Sequence, residues 1–206
     1  LFARFTRSRY VPSVRRSATS AALAWALMAS AYPSSAKTYE PDNELAPKEA
    51  VKAISARLAD ITTPDERALL LADHIITLTT LSRYDEAEAS LVEARALKVS
   101  IKVAPEIDLA EATLREKLQR TITASELARK AMDARRRIYG HDSPEAVESE
   151  TFLAQILASL SKLDEATALA RHAWETSGTS GAGVDRRRIK AGFQYARILN
   201  IVRRID

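Results

Sequence analysis

No cysteine occurs among the 206 residues, so disulfides, thiolate nucleophiles and cysteine-bound zinc are excluded in any compartment. Glycine-rich phosphate loops are missing as well: the stretch "SGTSGAG" has neither a preceding strand nor the lysine of a P-loop. No segment alternates apolar and polar residues over a useful strand length. No apolar run reaches the roughly 20 residues needed to span a bilayer as a helix. Acidic residues are absent from positions 1–36, and that local absence accounts for the net charge of +4.

The first 36 residues carry Arg4, Arg7, Arg9, Arg15 and Arg16, and without them the chain is close to neutral. A nucleic-acid binder should instead hold its basic surplus on the folded part, where it neutralises phosphates. The order of features reads as an address: arginines, then the apolar run Ala21–Tyr32, then "PSSAK", in which Ser34 and Ala36 are the small residues a signal peptidase accepts. This predicts a signal peptide over 1–36, cut after Ala36, and an exported, periplasmic or secreted protein of a bacterial envelope. A mitochondrial transit peptide or a twin-arginine signal at Arg15-Arg16 are the competing readings of the same leader.

Beyond the leader the chain repeats itself. "HIITLTTLSRYDEA" (His74–Ala87) overlays "LAQILASLSKLDEA" (Leu153–Ala166), and "EATLREKLQRTITA" (Glu111–Ala124) falls between them, with Leu81, Leu118 and Leu160 in register. "YARILNIVRRID" (Tyr195–Asp206) opens a fourth copy. Each full copy then carries two alanines seven residues apart, Ala87/Ala94, Ala124/Ala131 and Ala166/Ala173, which is two helical turns and therefore one stripe. Ala112, Ala154 and Ala196 hold the matching place on the preceding helix, where the first copy has Ile75. Small side chains there predict close helix approach.

Helix ends agree with this division. Thr63-Pro64-Asp65-Glu66 reads as a capping box with proline at the first helical position, and Ser82 with Asp85 and Ser161 with Asp164 read as caps of second helices. The pattern predicts helices near 46–60, 65–81, 84–98, 105–119, 122–138, 144–160, 163–176 and 185–204. A linker at Ser177–Val184 and a leader remnant near 37–44 complete the division.

These repeats resemble tetratricopeptide repeats, and Arg135–Ala173 is similar to the longer, roughly 42-residue kind found in kinesin light chains and many bacterial proteins. The resemblance covers about 65–206, as repeats near 65–104, 105–143 and 144–184 and a half-repeat at 185–206, behind a 37–64 extension with a capping helix. It implies an all-α, right-handed superhelical solenoid of antiparallel helix pairs that binds proteins or peptides on its concave face. Carried over, that geometry places the inner positions on Thr79, Thr113, Glu116, Lys117, Thr151, Gln155, Ser159, Arg197 and Asn200. The subclass that clamps a C-terminal carboxylate is not matched, because its asparagine is replaced by Thr113 and Gln155.

Candidate catalytic groups reduce to ordinary roles. His141-Asp142-Ser143 has the residue types of a hydrolase triad, but consecutive residues in a bend fan outward rather than line up. Ser143 before Pro144 and Glu145 reads as an N-cap, and Gly140 as the end of the previous helix. His74 reads as a packed, hydrogen-bonded histidine and His172, beside Arg171, as a solvated one. No His-x-x-x-His or similar spacing joins the histidines, so no metal, cofactor or catalytic residue is expected. The arginine runs Arg135–Arg137 and Arg186–Arg188 read as solvated faces.

The expectation is a non-enzymatic interaction scaffold or adaptor for a protein or peptide segment. It engages no nucleic acid and has no transmembrane anchor. The final helix carries Phe193, Ile198, Leu199 and Val202, which predicts an apolar ledge covered by a second copy, a continuation of the chain or a partner. The alternative function is the regulatory front of a larger envelope enzyme whose catalytic domain lies outside this sequence.

Overall fold

A computed structural model describes residues 47–177 and 186–203, all within one compact unit spanning Lys37–Asp206. The leader over 1–36, the remnant near 37–44 and positions 178–184 of the linker lie outside the described residues. Among the described residues there are eight α-helices and no strand: α1 Pro47–Asp60, α2 Pro64–Thr80, α3 Tyr84–Ala96, α4 Ala104–Lys117, α5 Thr121–Tyr139, α6 Pro144–Ser159, α7 Leu163–Ser177 and α8 Arg186–Arg203. Each matches its sequence-based range within two residues. The architecture is an all-α solenoid in which helices pair through turns of a few residues, α2 with α3, α4 with α5 and α6 with α7. Each second helix then packs on the first helix of the next pair.

Three turns repeat the same backbone. Ser82, Gln119 and Ser161 stand at φ 59°, 61° and 58°, each one residue after the aligned Leu81, Leu118 and Leu160. Behind each, the next amide reaches back over the helix end: Arg83 N–H donates to Leu78 O at 2.9 Å, Arg120 N–H to Arg115 O at 2.8 Å and Lys162 N–H to Leu157 O at 3.0 Å. This left-handed closure satisfies carbonyls that a helix end otherwise leaves unpaired. It also corrects the expected caps. Ser82 and Ser161 terminate first helices instead of capping second ones, and Arg83 and Arg120 stand at the N-cap positions without a side-chain cap bond.

Helix starts follow the sequence more closely. Ser143 Oγ accepts from Ala146 N–H at 3.2 Å, with Pro144 in the first turn and Glu145 against the positive end of the helix dipole. Gly140, at φ 99°, ends α5 in a conformation that favours glycine. At Thr63 the hydroxyl donates to Glu66 Oε2 at 2.7 Å and makes no cap bond to the backbone. Half of the expected capping box is therefore replaced by a side-chain pair.

Packing rests on the alanines. Ala87, Ala94, Ala124, Ala131, Ala166 and Ala173 are all fully buried, as are Ala112, Ala154 and Ile75 on the facing helices. Ala196, at the fourth matching position, is exposed, because no described element packs against that face of α8. Around these contacts one core joins Leu71, Ile75, Leu78, Leu91, Ile107 and Leu114, and a second joins Leu153, Ile156, Leu157, Met132 and Ile198. Helix α6 touches α5, α7 and α8 and is consequently buried on nearly every side.

This packing makes a ranked expectation. Ala154→Leu should destabilise by about 1–3 kcal/mol through overpacking. Gln119→Gly, which relieves a left-handed non-glycine residue at an exposed turn, should be neutral or stabilise by up to about 1 kcal/mol. Thermal melts of the two variants give the order, and an unchanged melting temperature for Ala154→Leu contradicts the assigned helix contacts.

Candidate functional site: the layer of first helices and its charge network

First helices meet one another across the repeats, α2 with α4 and α6 with α8, whereas no two second helices make a broad contact. Between α4 and α6 a polar bridge forms: Gln155 Nε2 donates to Glu116 Oε1 at 3.0 Å. The free stripe of α2, α4, α6 and α8 lies on the side of the stack where first helices meet.

The nine sequence-assigned inner residues divide. Lys117, Ser159, Arg197 and Asn200 are exposed, and Thr113, Glu116 and Gln155 are half-buried. Thr79 and Thr151 are not surface groups: they are 2% and 5% exposed. The repeat register explains both. Thr79 corresponds to Glu116 and to the buried Ala158, and Thr151 to Leu109 and the buried Ala72, so these are packing positions. Thr151 Oγ1 donates back to Val147 O at 2.9 Å, while the buried Thr79 Oγ1 has no hydrogen-bond partner. Gln155 bridges two first helices through Glu116.

The same register finds residues that were missed. Ile76 precedes Thr113 by one repeat step and Thr80 precedes Lys117 by the same step, and both are exposed. The register therefore aligns Ile76, Thr113, Gln155 and Arg197, flanked by Thr80, Lys117 and Ser159. Sliding the inner set back by 37 residues from the second copy would have located both.

Behind that layer, charged groups tie helices together. Arg135 is 5% exposed, not part of a solvated face. Its Nε donates to Glu106 Oε1 at 3.0 Å, and its Nη1 to Glu145 O and Ser149 Oγ at 3.0 Å each, joining α5 to both α4 and α6. Arg136 donates through Nε and Nη2, at 3.1 and 2.7 Å, to Glu150 Oε1, and Glu150 is fully buried on α6. Only Arg137 of that run is exposed. In the second run, Arg188 lies over the Trp174 ring at 5.1 Å.

The histidines are placed as follows. His74 is half-buried, with Nδ1 3.0 Å from Ser90 Oγ. Ser90 Oγ already donates to Glu86 O, so the imidazole supplies the proton of that bond. Burial, with Arg83 nearby, holds His74 below the usual histidine range. His172 is not solvated as expected: its Nδ1 lies 2.6 Å from Glu150 Oε2, and its ring meets that of His141 edge to face with centroids 4.7 Å apart.

At the chain's last described helix, Phe193, Ile189 and Leu199 are exposed at 70%, 57% and 41%. Ile198 is fully buried and Val202 partly so, which leaves Phe193 and Leu199 of the expected apolar ledge, joined by Ile189. Gly192 lets α8 approach the Trp174 ring: a Cβ there would lie 2.7 Å from a ring carbon.

Known proteins match at the level of the fold. The tetratricopeptide repeat family model matches residues 116–145, across α5 and the turn that follows. The crystal structure of BtubC (BKLC) from P. vanneervenii superimposes with a TM-score of 0.57 at 16% identity, over 76% of this chain and 66% of that one. The chain thus spans slightly less than two thirds of that structure's length. No curated protein matches the sequence. Together with the repeated helix pairs, these likenesses show a tetratricopeptide-like helical-repeat fold.

The charge network yields its own expectation. Arg135→Ala strands Glu106 against a buried surface and should destabilise by about 3–5 kcal/mol, whereas Arg137→Ala two residues on should change stability by no more than about 0.5 kcal/mol. Urea unfolding of both variants measures the difference, and equal midpoints would return Arg135 to the solvated surface.

Proposed function

We propose that this protein is a non-enzymatic scaffold that holds a segment of a partner protein along the inner face of its first helices. The observation that carries this reading is the stripe of exposed Ile76, Thr80, Lys117, Ser159 and Arg197 with half-buried Thr113 and Gln155, in one register over α2, α4, α6 and α8. A set of equivalent positions, one turn apart on parallel first helices, offers an extended or helical peptide repeated contacts of the same kind. Polar groups at these positions fix register, while the methyl and methylene parts of Thr113, Lys117 and Arg197 supply contact area. Tetratricopeptide-like repeats point to protein interaction in general.

The double variant Lys117→Glu/Ser159→Arg reverses charge and adds bulk at two exposed neighbours of the stripe. It should melt within a few degrees of the parent and lose at least about tenfold of partner recovery, roughly 1.4 kcal/mol, in pull-down with quantitative mass spectrometry. Recovery equal to that of the parent would move the binding surface off the inner face.

Residues 1–36 serve in this proposal as an export leader. Its arginines, apolar run and small residues at Ser34 and Ala36 support a cut after Ala36. N-terminal sequencing of the mature protein should begin at Lys37, and a mature chain that retains Trp25 would exclude this processing.

A further inference from the structure

The turn after α5 and the second helix of the third repeat bring together two histidines and an aspartate that the sequence keeps apart. Asp142 Oδ1 lies 3.2 Å from His141 Nδ1 and 3.4 Å from His172 Nε2. Behind them, Glu150 Oε2 lies 2.6 Å from His172 Nδ1. The donor atoms of His141, Glu150 and His172 all fall within 4.8 Å of one another.

Glu150 is fully buried, and its other oxygen takes two hydrogen bonds from Arg136, which fixes the carboxylate behind His172. On its far side His172 Nε2 faces Asp142 Oδ1 and Thr176 Oγ1, each at 3.4 Å, and the same Asp142 oxygen faces His141 Nδ1. A tetrahedral ion with bonds of about 2.0–2.1 Å spaces its ligands roughly 3.3–3.4 Å apart, close to the 3.2 and 3.4 Å that separate Asp142 Oδ1 from the two histidine nitrogens. The buried carboxylate behind His172 is the outer-shell arrangement that orients an imidazole ligand and raises its basicity.

We infer that His141, Asp142 and His172 form a binding site for a zinc-class divalent transition ion, with Glu150 as the positioning residue for His172. Imidazole with one carboxylate suits Zn(II), Co(II), Ni(II) or Cu(II) over Mg(II) or Ca(II). Asp142 and His141 are 74% and 57% exposed, so the ion enters from solvent and keeps water in its remaining position. Because His141 and Asp142 lie between α5 and α6 and His172 lies on α7, the ion would clamp an inter-repeat turn to a second helix. The site deepens the picture of a triad look-alike: His141 and Asp142 act with a residue from elsewhere, as a ligand set.

The test is titration of metal-free full-length protein with Zn(II), by calorimetry and by thermal melting, and with Co(II) followed by visible absorption. One ion per chain, a raised melting temperature and Co(II) bands of tetrahedral intensity are expected. Loss of a ligand in His141→Ala or His172→Ala should lower affinity by more than the roughly 10–100-fold that outer-shell changes produce, and Glu150→Gln should fall in that 10–100-fold range. Glu150 is buried, so its variant is read only if it folds. His141→Ala changes an exposed turn and keeps the fold, and so carries the decision. Equal Zn(II) affinity in the parent and in both His141→Ala and Asp142→Ala, or no Co(II) band in the parent, overturns the site. In that event the histidine pair is only a link between helices.

Discussion

The rest of the structure depends on how closely helices can approach at the repeated alanines. Ala87, Ala94, Ala124, Ala131, Ala166 and Ala173 are each fully buried, and a methyl group is all that stands between adjacent helix backbones there. An alanine removes little apolar surface from water, so these residues contribute less by their own burial than by what their size permits. At that spacing the leucines and isoleucines on either side interlock into the two cores, and arginine and glutamate side chains become long enough to span from one helix to the next. Arg95 reaches Glu111 and Asp108, Arg129 reaches Glu165, and Arg135 reaches Glu106. Larger residues at the stripe would part the helices and pull these pairs beyond hydrogen-bond range.

Helix existence, helix ends and the repeat were readable because each is encoded locally. A period of 3.6 residues marks a helix, Ser143-Pro144 marks a start, and the steps of 37 and 42 from Leu81 to Leu118 to Leu160 mark the copies. The left-handed turn residues escaped because serine suits both a cap and a tight bend, and Gln119 at the same place signals neither. Arg135 and His172 escaped for a different reason. Which neighbour a long side chain meets depends on the angle between two helices, and no spacing within one helix states that angle. Thr79 and Thr151 were misplaced by carrying over a general geometry when the chain's own copies, Ala158 and Ala72, already mark those registers as packed.

The second repeat shows how the scaffold tolerates departures from its own pattern. Arg115 occupies the position held by the fully buried Leu78 and Leu157. Its side chain is 13% exposed and is met by Glu88 from α3 and Glu111 from its own helix. A guanidinium at a leucine position is tenable because two carboxylates converge on it, and removing either would leave a poorly solvated charge. Such pairs add little net stability compared with a leucine of similar volume, but they fix which helices may be neighbours.

Register also connects the buried acids. Glu150 on α6 corresponds to Asp108 on α4, 3% exposed, and His172 on α7 corresponds to Lys130 on α5. Asp108 Oδ2 meets Lys130 Nζ at 3.0 Å, as Glu150 meets His172. Both repeats thus hold a buried carboxylate on the first helix against a cationic or protonated nitrogen on the second. The two nitrogens differ in what they leave over. A lysine ammonium has only protons to offer and ends the interaction at the acid. An imidazole that meets the acid through one nitrogen has a second one to spare, and in the third repeat that atom lies 3.4 Å from Asp142 Oδ1. Histidine in place of lysine at one repeat position therefore supplies the proposed site with a second nitrogen that a lysine ion pair does not offer.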